Sequence, residues 1–311
     1  MKGLEICRLY YKEYGEPMLM RDFADIFPLL ACGLFGSGSE CFGYDDEISR
    51  DHDLEPGFCI FLPGEDVVDR RAAFLLERAY AKLPSEFMGL SRQASSPVGG
   101  ARRGVMRTAE FFAQRTGSPD GTLTDFEWLS LPDQALAECV NGELYYDGYG
   151  EVGAIRKRLA SQPADVRLKK LAGELLLASQ SGQYNFMRCV KHGEPGAAAL
   201  AISEFANRIM KCCFLINGKY MPFYKWSFRA LRGLGTLANL APELEKLVCS
   251  GIDAAEEAAR EAEKISAALA DELRRQNLVK SDTNNLEQLA YEVNASIASE
   301  AVRNAHILAG A

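Results

Sequence analysis

The pattern of apolar and polar positions divides the chain into a mixed first half and a helical second half. Up to about residue 150, short apolar runs alternate with segments of helical periodicity, and beyond that point the strand signals stop. Four short runs are typical of buried strands, because turn residues bound them. They are ACGLF at 31–35, GFCIFLP at 57–63, GVMR at 104–107 and ELYYD at 143–147.

Helical periodicity predicts most of the remaining elements. The predicted helices cover most of 1–30, then 65–83, 108–117, 132–142, 194–216, 222–234, 252–278 and 286–308. In 252–278 the charges fall mostly between apolar positions, as on a solvated helix face. The stretch 84–101, which contains SSPVGGA, is predicted to be a mobile loop. We therefore expect an α/β (α+β) domain with a short mixed sheet at 1–155, followed by an all-α domain at 156–311.

The composition is that of a soluble globular protein large enough for two domains. The chain has 311 residues, of which 48% are hydrophobic and 25% charged, and a domain of ~150 residues is typical. No run of 18 apolar residues is present to span a membrane. Charged residues interrupt the N-terminal stretch, which is therefore not a secretion signal. These features predict a cytoplasmic protein without a membrane partner.

The cysteines show no spacing typical of a zinc site. The chain has nine cysteines and three histidines, and no CxxC pair occurs among them. Cys212 and Cys213 are adjacent within an apolar run. We therefore expect buried, reduced thiols in place of disulfides or a zinc centre.

The charge balance disfavours DNA or RNA as the main partner. The formal net charge is −8, whereas proteins that bind a nucleic-acid backbone neutralise phosphates with a basic surface. Only local basic patches are available, at Arg102–Arg103 or at Lys225 with Arg229 and Arg232.

The stretch FGSGSECFGYDDEISRDHDL, residues 35–54, combines residue types that suit a metal-bound phosphate. A predicted strand ends at Gly36 and Ser37, with Ser39 in the same turn, where small residues let backbone amides approach a phosphate. Asp51 and Asp53 follow, two residues apart. On an extended segment such side chains point to the same side, so both carboxylates can face one Mg²⁺ ion.

The combination of glycine-serine turn and Asp-x-Asp strand resembles the polymerase-beta-like nucleotidyltransferase superfamily. That superfamily includes aminoglycoside nucleotidyltransferases and the minimal nucleotidyltransferases. Together with FLINGKYMPFYKWSFRALR at 214–232 and the closing VRNAHILAG, the motif resembles a bacterial branch that has a C-terminal helical domain. The resemblance implies a nucleotidyltransferase domain, a helical domain that closes over the nucleotide, and nucleotide-site roles for Gly36, Ser37, Asp51 and Asp53. Without it, these residues fit a simple turn and a solvated loop better than a nucleotide site.

One departure from the superfamily concerns the third carboxylate that usually follows on a later strand. The equivalent strand here, RRGVMRT at 102–108, contains no acid. The acids that remain candidates for this role are Glu110, Asp125, Asp45 and Asp46. The departure places catalysis in question while leaving nucleotide binding in place.

A second basic feature lies on the predicted helix that begins near Pro222. Lys225 and Arg229 are four residues apart and share one helix face, where they are candidates to hold a triphosphate. The alternative is that Phe223 and Trp226 belong to the core, with both cations at its edge.

We also expect the helical domain to form a cleft with the Gly36–Asp53 edge of the first domain.

The sequence thus predicts a Mg²⁺-dependent nucleotidyltransferase that transfers a nucleoside monophosphate from an NTP, with ATP the expected substrate. The acceptor is a hydroxyl-type group on a small molecule or a protein. Asp51 and Asp53 are the predicted metal ligands and catalytic residues. The predicted nucleotide-binding residues are Gly36, Ser37, Ser39, Lys225 and Arg229. A catalytically impaired nucleotide-binding regulator is the alternative.

Overall fold

A computed structural model describes residues 1–47, 54–92, 102–250 and 254–311. The chain forms two compact units. The first comprises Met1–Thr122 and Ala135–Ala160, and the second comprises Leu123–Gln134 and Ser161–Ala311. The domain boundary expected at residues 155–156 stays a prediction. By its contacts, the short segment Leu123–Gln134 belongs to the second unit.

The first unit contains a four-stranded mixed sheet. The strands of the chain are β1 (Ala31–Leu34), β2 (Cys59–Leu62), β3 (Glu86–Phe87), β4 (Leu90–Ser91), β5 (Gly104–Arg107) and β6 (Glu143–Asp147). The sheet has the order β5-β2-β1-β6, in which β1 is antiparallel to β2 and β6 while β2 is parallel to β5. The expected short mixed sheet is confirmed, and its four strands are those that the apolar runs predict.

The helices account for most of the remaining structure. They are α1 (Gly3–Tyr10), α2 (Glu16–Asp22), α3 (Arg70–Ala81), α4 (Thr108–Thr116), α5 (Asp125–Ser130), α6 (Asp133–Val140), α7 (Glu151–Leu159), α8 (Ala164–Ala178), α9 (Phe186–Lys191), α10 (Pro195–Ile216), α11 (Tyr224–Leu231), α12 (Leu240–Cys249), α13 (Ala255–Arg275), α14 (Leu286–Ala295) and α15 (Glu300–Asn304). Tighter or wider helical turns cover Tyr11–Gly15, Phe27–Leu29, Glu40–Phe42 and Ser179–Asn185. Among the described residues, no strand follows Asp147, and none of the helices combines the length and apolar character of a membrane span.

The core of the first unit lies around β1 and β2. Every residue of these two strands is buried, which explains why they read as continuous apolar runs without alternation. Tyr10 and Tyr11, from the first helices, pack on Phe58 with ring centroids 6.2 and 5.1 Å apart. The expected burial of the thiols is confirmed for seven of the nine cysteines, whereas Cys189 is half-buried and Cys249 is exposed.

The second unit is organised around α8, which is buried along most of its length. Lys169 of this helix is fully buried. Its ammonium donates to Asn294 Oδ1 at 2.8 Å and to the carbonyls of Arg303 and Ala305 at 3.2 and 2.6 Å. These bonds satisfy a buried charge and fix α14 and α15 against α8.

Two predicted elements differ from the structure. The helix predicted at 286–308 is split into α14 and α15, because Asp165 accepts the amides of Ala298 and Ser299 at 3.1 and 2.7 Å where the helix breaks. The part of the predicted 84–101 loop that the structure describes, 84–92, contains the hairpin β3-β4. Met88 and Gly89 form its turn with positive φ angles.

Candidate functional site

The turn after β1 is held by a side chain far away in sequence. Gly36 has a φ of +112°, a conformation that favours glycine. Its amide donates to Asn141 Oδ1 at 2.8 Å, and Asn141 Nδ2 donates to the Gly36 carbonyl at 2.8 Å. This reciprocal pair fixes the turn at the end of the sheet and occupies the Gly36 amide.

Arg115 lies directly beside this turn. A β-carbon at residue 36 would be 3.3 Å from Nη2 of Arg115, so the absence of a side chain lets the guanidinium approach the backbone. The guanidinium also lies 3.8 Å from the centroid of the Phe111 ring, and its Nη1 donates to the Phe111 carbonyl at 3.1 Å. A fixed positive charge therefore stands at the end of β1.

Ser37 and Arg115 are joined through Glu138 of α6. The Ser37 hydroxyl donates to Oε2 of Glu138 at 3.2 Å, and Nε of Arg115 donates to the same oxygen at 3.3 Å. The side chains of Arg115 and Glu138 are 19% and 21% exposed. The turn thus presents a hydroxyl, a guanidinium and a carboxylate at one partly accessible place.

Ser39 continues the turn into the helical turn Glu40–Phe42. Ser39 is buried, and its carbonyl accepts the amides of Phe42 and Tyr44 at 3.2 and 2.8 Å. Its role at this point is to shape the backbone. A nucleotide-binding role for Ser39 stays a prediction.

A buried arginine, Arg103, binds Glu40 and Glu55, which precede and follow Asp51 and Asp53 in the sequence. Arg103 donates to Oε1 of Glu40 at 2.9 Å and to Oε1 of Glu55 at 3.0 Å, and the Arg103 and Glu40 side chains are almost fully buried. Burial alone would lower the pKa of Arg103, but its interactions with the Cys7 side chain and with the carboxylates of Glu40 and Glu55 raise this pKa overall. Arg103 therefore stays charged.

Asp51 and Asp53, the predicted metal ligands, lie outside the described residues, between Glu40 and Glu55 in sequence. Their predicted common orientation and shared cation stay predictions. Among the residues that the structure does describe, no three histidine, cysteine or acidic side chains cluster as a metal site would require.

The four candidates for a third carboxylate occupy different places. Asp45 is buried and serves α1, because its Oδ2 accepts the Gly3 amide at 2.8 Å and its carboxylate lies 3.9 Å from Lys2 Nζ. Asp46 is exposed beside it. Glu110 is exposed in the first turn of α4, immediately after β5, and Asp125 begins α5 in the second unit.

Lys225 and Arg229 both lie exposed on α11 of the second unit. The Lys225 ammonium is 4.5 Å from the centroid of the Trp226 ring. Phe223 and Tyr224 are exposed as well, with ring centroids 4.4 Å apart. The start of α11 is therefore a surface feature, which differs from the alternative that placed Phe223 in the core.

A cavity of about 540 Å³ opens within the second unit beside Phe223 and Tyr224. Its size falls within the range of small-molecule sites. Charged groups line it in compensating pairs, since Glu174 accepts from Lys211 at 2.9 Å and Lys170 donates to Asp133 at 3.0 Å. The exposed aromatics that precede Lys225 thus stand at the mouth of a ligand-sized space.

Comparison with known proteins gives limited matches. The model of a family described as a domain of unknown function (DUF4037) matches residues 128–227. This match spans about a third of the chain and includes Glu138, Asn141 and Lys225 but neither Asp51 nor Asp53. No curated protein matches.

One solved structure is similar over most of the chain. It is a nucleotidyltransferase-like protein from Exiguobacterium sibiricum 255-15, at 10% sequence identity, and the match covers 95% of this chain and 81% of that one. The TM-score is 0.39. A score of this size carries no argument about function.

Sequence reasoning missed three residues at the turn, which are Arg115, Glu138 and Asn141. Asn141 is separated from Gly36 by 105 positions, and in the sequence it indicates only the end of a helix. The Arg115 and Glu138 side chains look like ordinary charged positions of amphipathic helices. No local spacing connects any of the three with Gly36 or Ser37.

Proposed function

We propose that this protein is a Mg²⁺-dependent nucleotidyltransferase that uses an NTP, with ATP as the expected substrate. The acceptor is a hydroxyl group on a small molecule or a protein. The observation that carries the proposal is the glycine-serine turn at the end of β1, held by Asn141 and flanked by Arg115. Asp51 and Asp53 follow this turn in the sequence.

In the proposed reaction, the acceptor oxygen attacks the α-phosphorus, the bond from that phosphorus to the bridging oxygen breaks, and pyrophosphate leaves with the electron pair. The hydroxyl proton passes to solvent or to a nearby carboxylate. Asp51 and Asp53 would hold Mg²⁺ beside the triphosphate, where the ion would supply Lewis-acid stabilisation of the attacked phosphoryl group. Gly36, whose amide is bonded to Asn141, shapes the turn, and Ser37 and Ser39 are proposed to position the outer phosphates.

Lys225 and Arg229 are proposed to supply positive charge from the helical unit. A triphosphate carries more negative charge than one Mg²⁺ neutralises, and two aspartates add to it. Cations that meet the phosphates during transfer stabilise the charge that develops. The exposure of both side chains on α11 makes them available for this role.

Replacing Asp51 and Asp53 together by asparagine should weaken Mg²⁺-dependent NTP binding. Because a metal bridge is lost, we expect the Kd for the Mg²⁺–NTP complex to rise at least tenfold, which is about 1.4 kcal/mol. The melting temperature should stay the same or rise, since the repulsion between two unneutralised carboxylates disappears. NTP titrations with and without Mg²⁺, beside thermal melting, measure both effects.

A matched control removes the same charge elsewhere in the first unit. Asp25 and Asp66 are both exposed, and Asp25→Asn with Asp66→Asn should leave NTP affinity unchanged. If the Asp51/Asp53 double variant binds Mg²⁺–NTP as the wild type does, the proposed metal site is wrong.

Lys225→Ala should weaken nucleotide binding or slow turnover by roughly tenfold. The side chain is exposed, and its contact with Trp226 contributes only about 0.5–1 kcal/mol, so the melting temperature should change little. Lys191→Ala, at the exposed last residue of α9, is the control for losing one surface lysine of the same unit. A lower melting temperature with unchanged affinity would assign Lys225 to packing around Trp226.

The second candidate function is a nucleotide-binding regulator without transfer activity. The engagement of Asp45 with α1 favours it, because one of the four candidates for the third carboxylate already has a structural role. Incubating the protein with labelled NTPs and cell extract separates the two functions. Transfer of label to an acceptor supports the enzyme, and saturable binding without transfer supports the regulator.

A further inference from the structure

Two hydrogen-bond donors converge on one carboxylate oxygen at the end of β1. The Ser37 hydroxyl and Nε of Arg115 reach Oε2 of Glu138 at 3.2 and 3.3 Å. Both distances lie beyond the usual range for such bonds. About a fifth of the Arg115 and Glu138 side-chain surfaces is open to solvent. Long hydrogen bonds therefore hold the carboxylate at a place that a solute can reach.

The Arg115 guanidinium does not depend on Glu138 for its position. Stacking on the Phe111 ring and the bond from Nη1 to the Phe111 carbonyl hold it in place. Among the described residues, no hydrogen bond uses its Nη2, which faces Gly36. If Glu138 withdrew, the guanidinium and the Ser37 hydroxyl would stay together as an anion-binding pair.

A second arginine near the turn, Arg156, differs from Arg115 in its hydrogen-bond partners. Arg156 lies over the Phe35 ring at 4.3 Å, but its guanidinium donates to three backbone carbonyls, those of Cys139, Val140 and Asn141. Burial lowers the pKa of Arg156 to about 10. Arg156 is thus committed to the backbone, whereas Nε of Arg115 is bonded to a partly exposed carboxylate.

Phosphoryl oxygens can take the place of the carboxylate on this pair. An arginine fork binds phosphate through two parallel hydrogen bonds, and charge-assisted bonds of this kind are about twice as strong as neutral ones. A polyphosphate also carries several charges where Glu138 carries one. It can therefore replace the carboxylate without leaving Arg115 unpaired.

We propose that Glu138 is a resident anion that occupies the position of an outer phosphate, and that the polyphosphate of the nucleotide displaces it and takes over Ser37 and Arg115. This inference rests on the proposed function and assigns two residues to it. Arg115 is the phosphate-binding cation of the first unit, and Glu138 sets a threshold that favours polyphosphates over singly charged anions.

The test uses inorganic tripolyphosphate without Mg²⁺, titrated into the full chain by calorimetry. Glu138→Gln should bind it about tenfold more tightly than the wild type, because a competing charge is gone. Arg115→Gln should bind it at least about tenfold more weakly. Glu77→Gln removes the same charge from an exposed position on α3 and should leave the affinity unchanged.

A shorter carboxylate guards against a folding defect. Glu138→Asp keeps the charge but draws it back by one methylene from Ser37 and Arg115, so its affinity should fall between those of the wild type and Glu138→Gln. Circular dichroism and thermal melting check each variant. Tripolyphosphate affinity that is equal or weaker in both Glu138 variants would overturn the inference and make Glu138 a structural tether.

The outcome separates this inference from the proposed function. Metal-free tripolyphosphate does not require Asp51 or Asp53, so tightening in Glu138→Gln stands even if the double aspartate variant still binds Mg²⁺–NTP. The opposite result is loss of Mg²⁺–NTP binding in that double variant with no tightening in Glu138→Gln. It would support the proposed metal site and contradict only the role of Glu138.

Discussion

Replacing Arg103 with methionine is expected to lower the free energy of unfolding by about 3–5 kcal/mol. Arg103 is the cation between Glu40 and Glu55, and Glu40 is almost completely buried. Methionine fills much of the same space but removes the guanidinium that is paired with the Glu40 carboxylate in a poorly solvated place. A buried charge that loses its partner costs far more than the pair contributed.

The effect should also reach nucleotide binding. Glu40 and Glu55 stand on either side of the segment that contains Asp51 and Asp53, and Arg103 ties both to the start of β5. Without it, Glu40 and Glu55 lose their common partner, so we expect the proposed Mg²⁺–NTP site to bind more weakly at temperatures where the variant is still folded. Denaturant unfolding and nucleotide titration on the same sample measure the two losses.

Two further variants show whether charge is the cause. Arg71→Met replaces an exposed arginine of α3 and should change stability by no more than about 0.5 kcal/mol. Adding Glu40→Gln and Glu55→Gln to Arg103→Met should recover part of the loss, because no buried charge is left unpaired. If the triple variant is less stable than Arg103→Met, the loss of stability comes from packing and not from an uncompensated charge.

Gly142→Ala is expected to destabilise the protein by about 2–5 kcal/mol. Gly142 has a φ of +61°, and a β-carbon there would lie 2.1 Å from the Leu34 carbonyl oxygen and 2.8 Å from the Phe35 α-carbon. Both obstacles are backbone atoms, which cannot rotate away as a side chain would. The end of β1 must shift, and with it the Gly36 turn.

The control for this prediction is a glycine with the same conformation and open space. Gly117 has a φ of +73° at the end of α4, and nothing lies within 4 Å of its would-be β-carbon. Gly117→Ala should therefore cost only the backbone strain, about 1 kcal/mol. Chemical denaturation of both variants gives the difference. An equal loss of unfolding free energy in both variants would show that the end of β1 moves at little cost to make room for the added methyl group.

The sheet was predictable because its strands carry their own signals. CIFL is buried on both faces, and proline or glycine bounds the run, so its apolar continuity predicts β2 directly. The end of α4 was predictable because Gly117 takes the left-handed conformation that closes a helix. Each of these signals lies within a few residues of the element it specifies.

The composition of the turn site was not predictable in the same way. Gly36 and Ser37 are visible as small residues after a strand, but their partners arrive from α4, α6 and the loop after α6 through the tertiary fold. Asn141 acts on Gly36 through side-chain hydrogen bonds that no periodicity encodes. The break between α14 and α15 is similar, because it depends on Asp165, more than a hundred positions earlier.

The hydrogen bonds between Gly36 and Asn141 can form only late in synthesis, so completion of the turn is delayed. The ribosome makes the glycine turn early, but its anchor is 105 residues later in the chain. At ~5–20 residues per second, the nascent turn waits about 5–20 s before Asn141 emerges and β6 can add to the sheet. A ligand that needs the finished turn therefore cannot assist the first steps of folding on the ribosome.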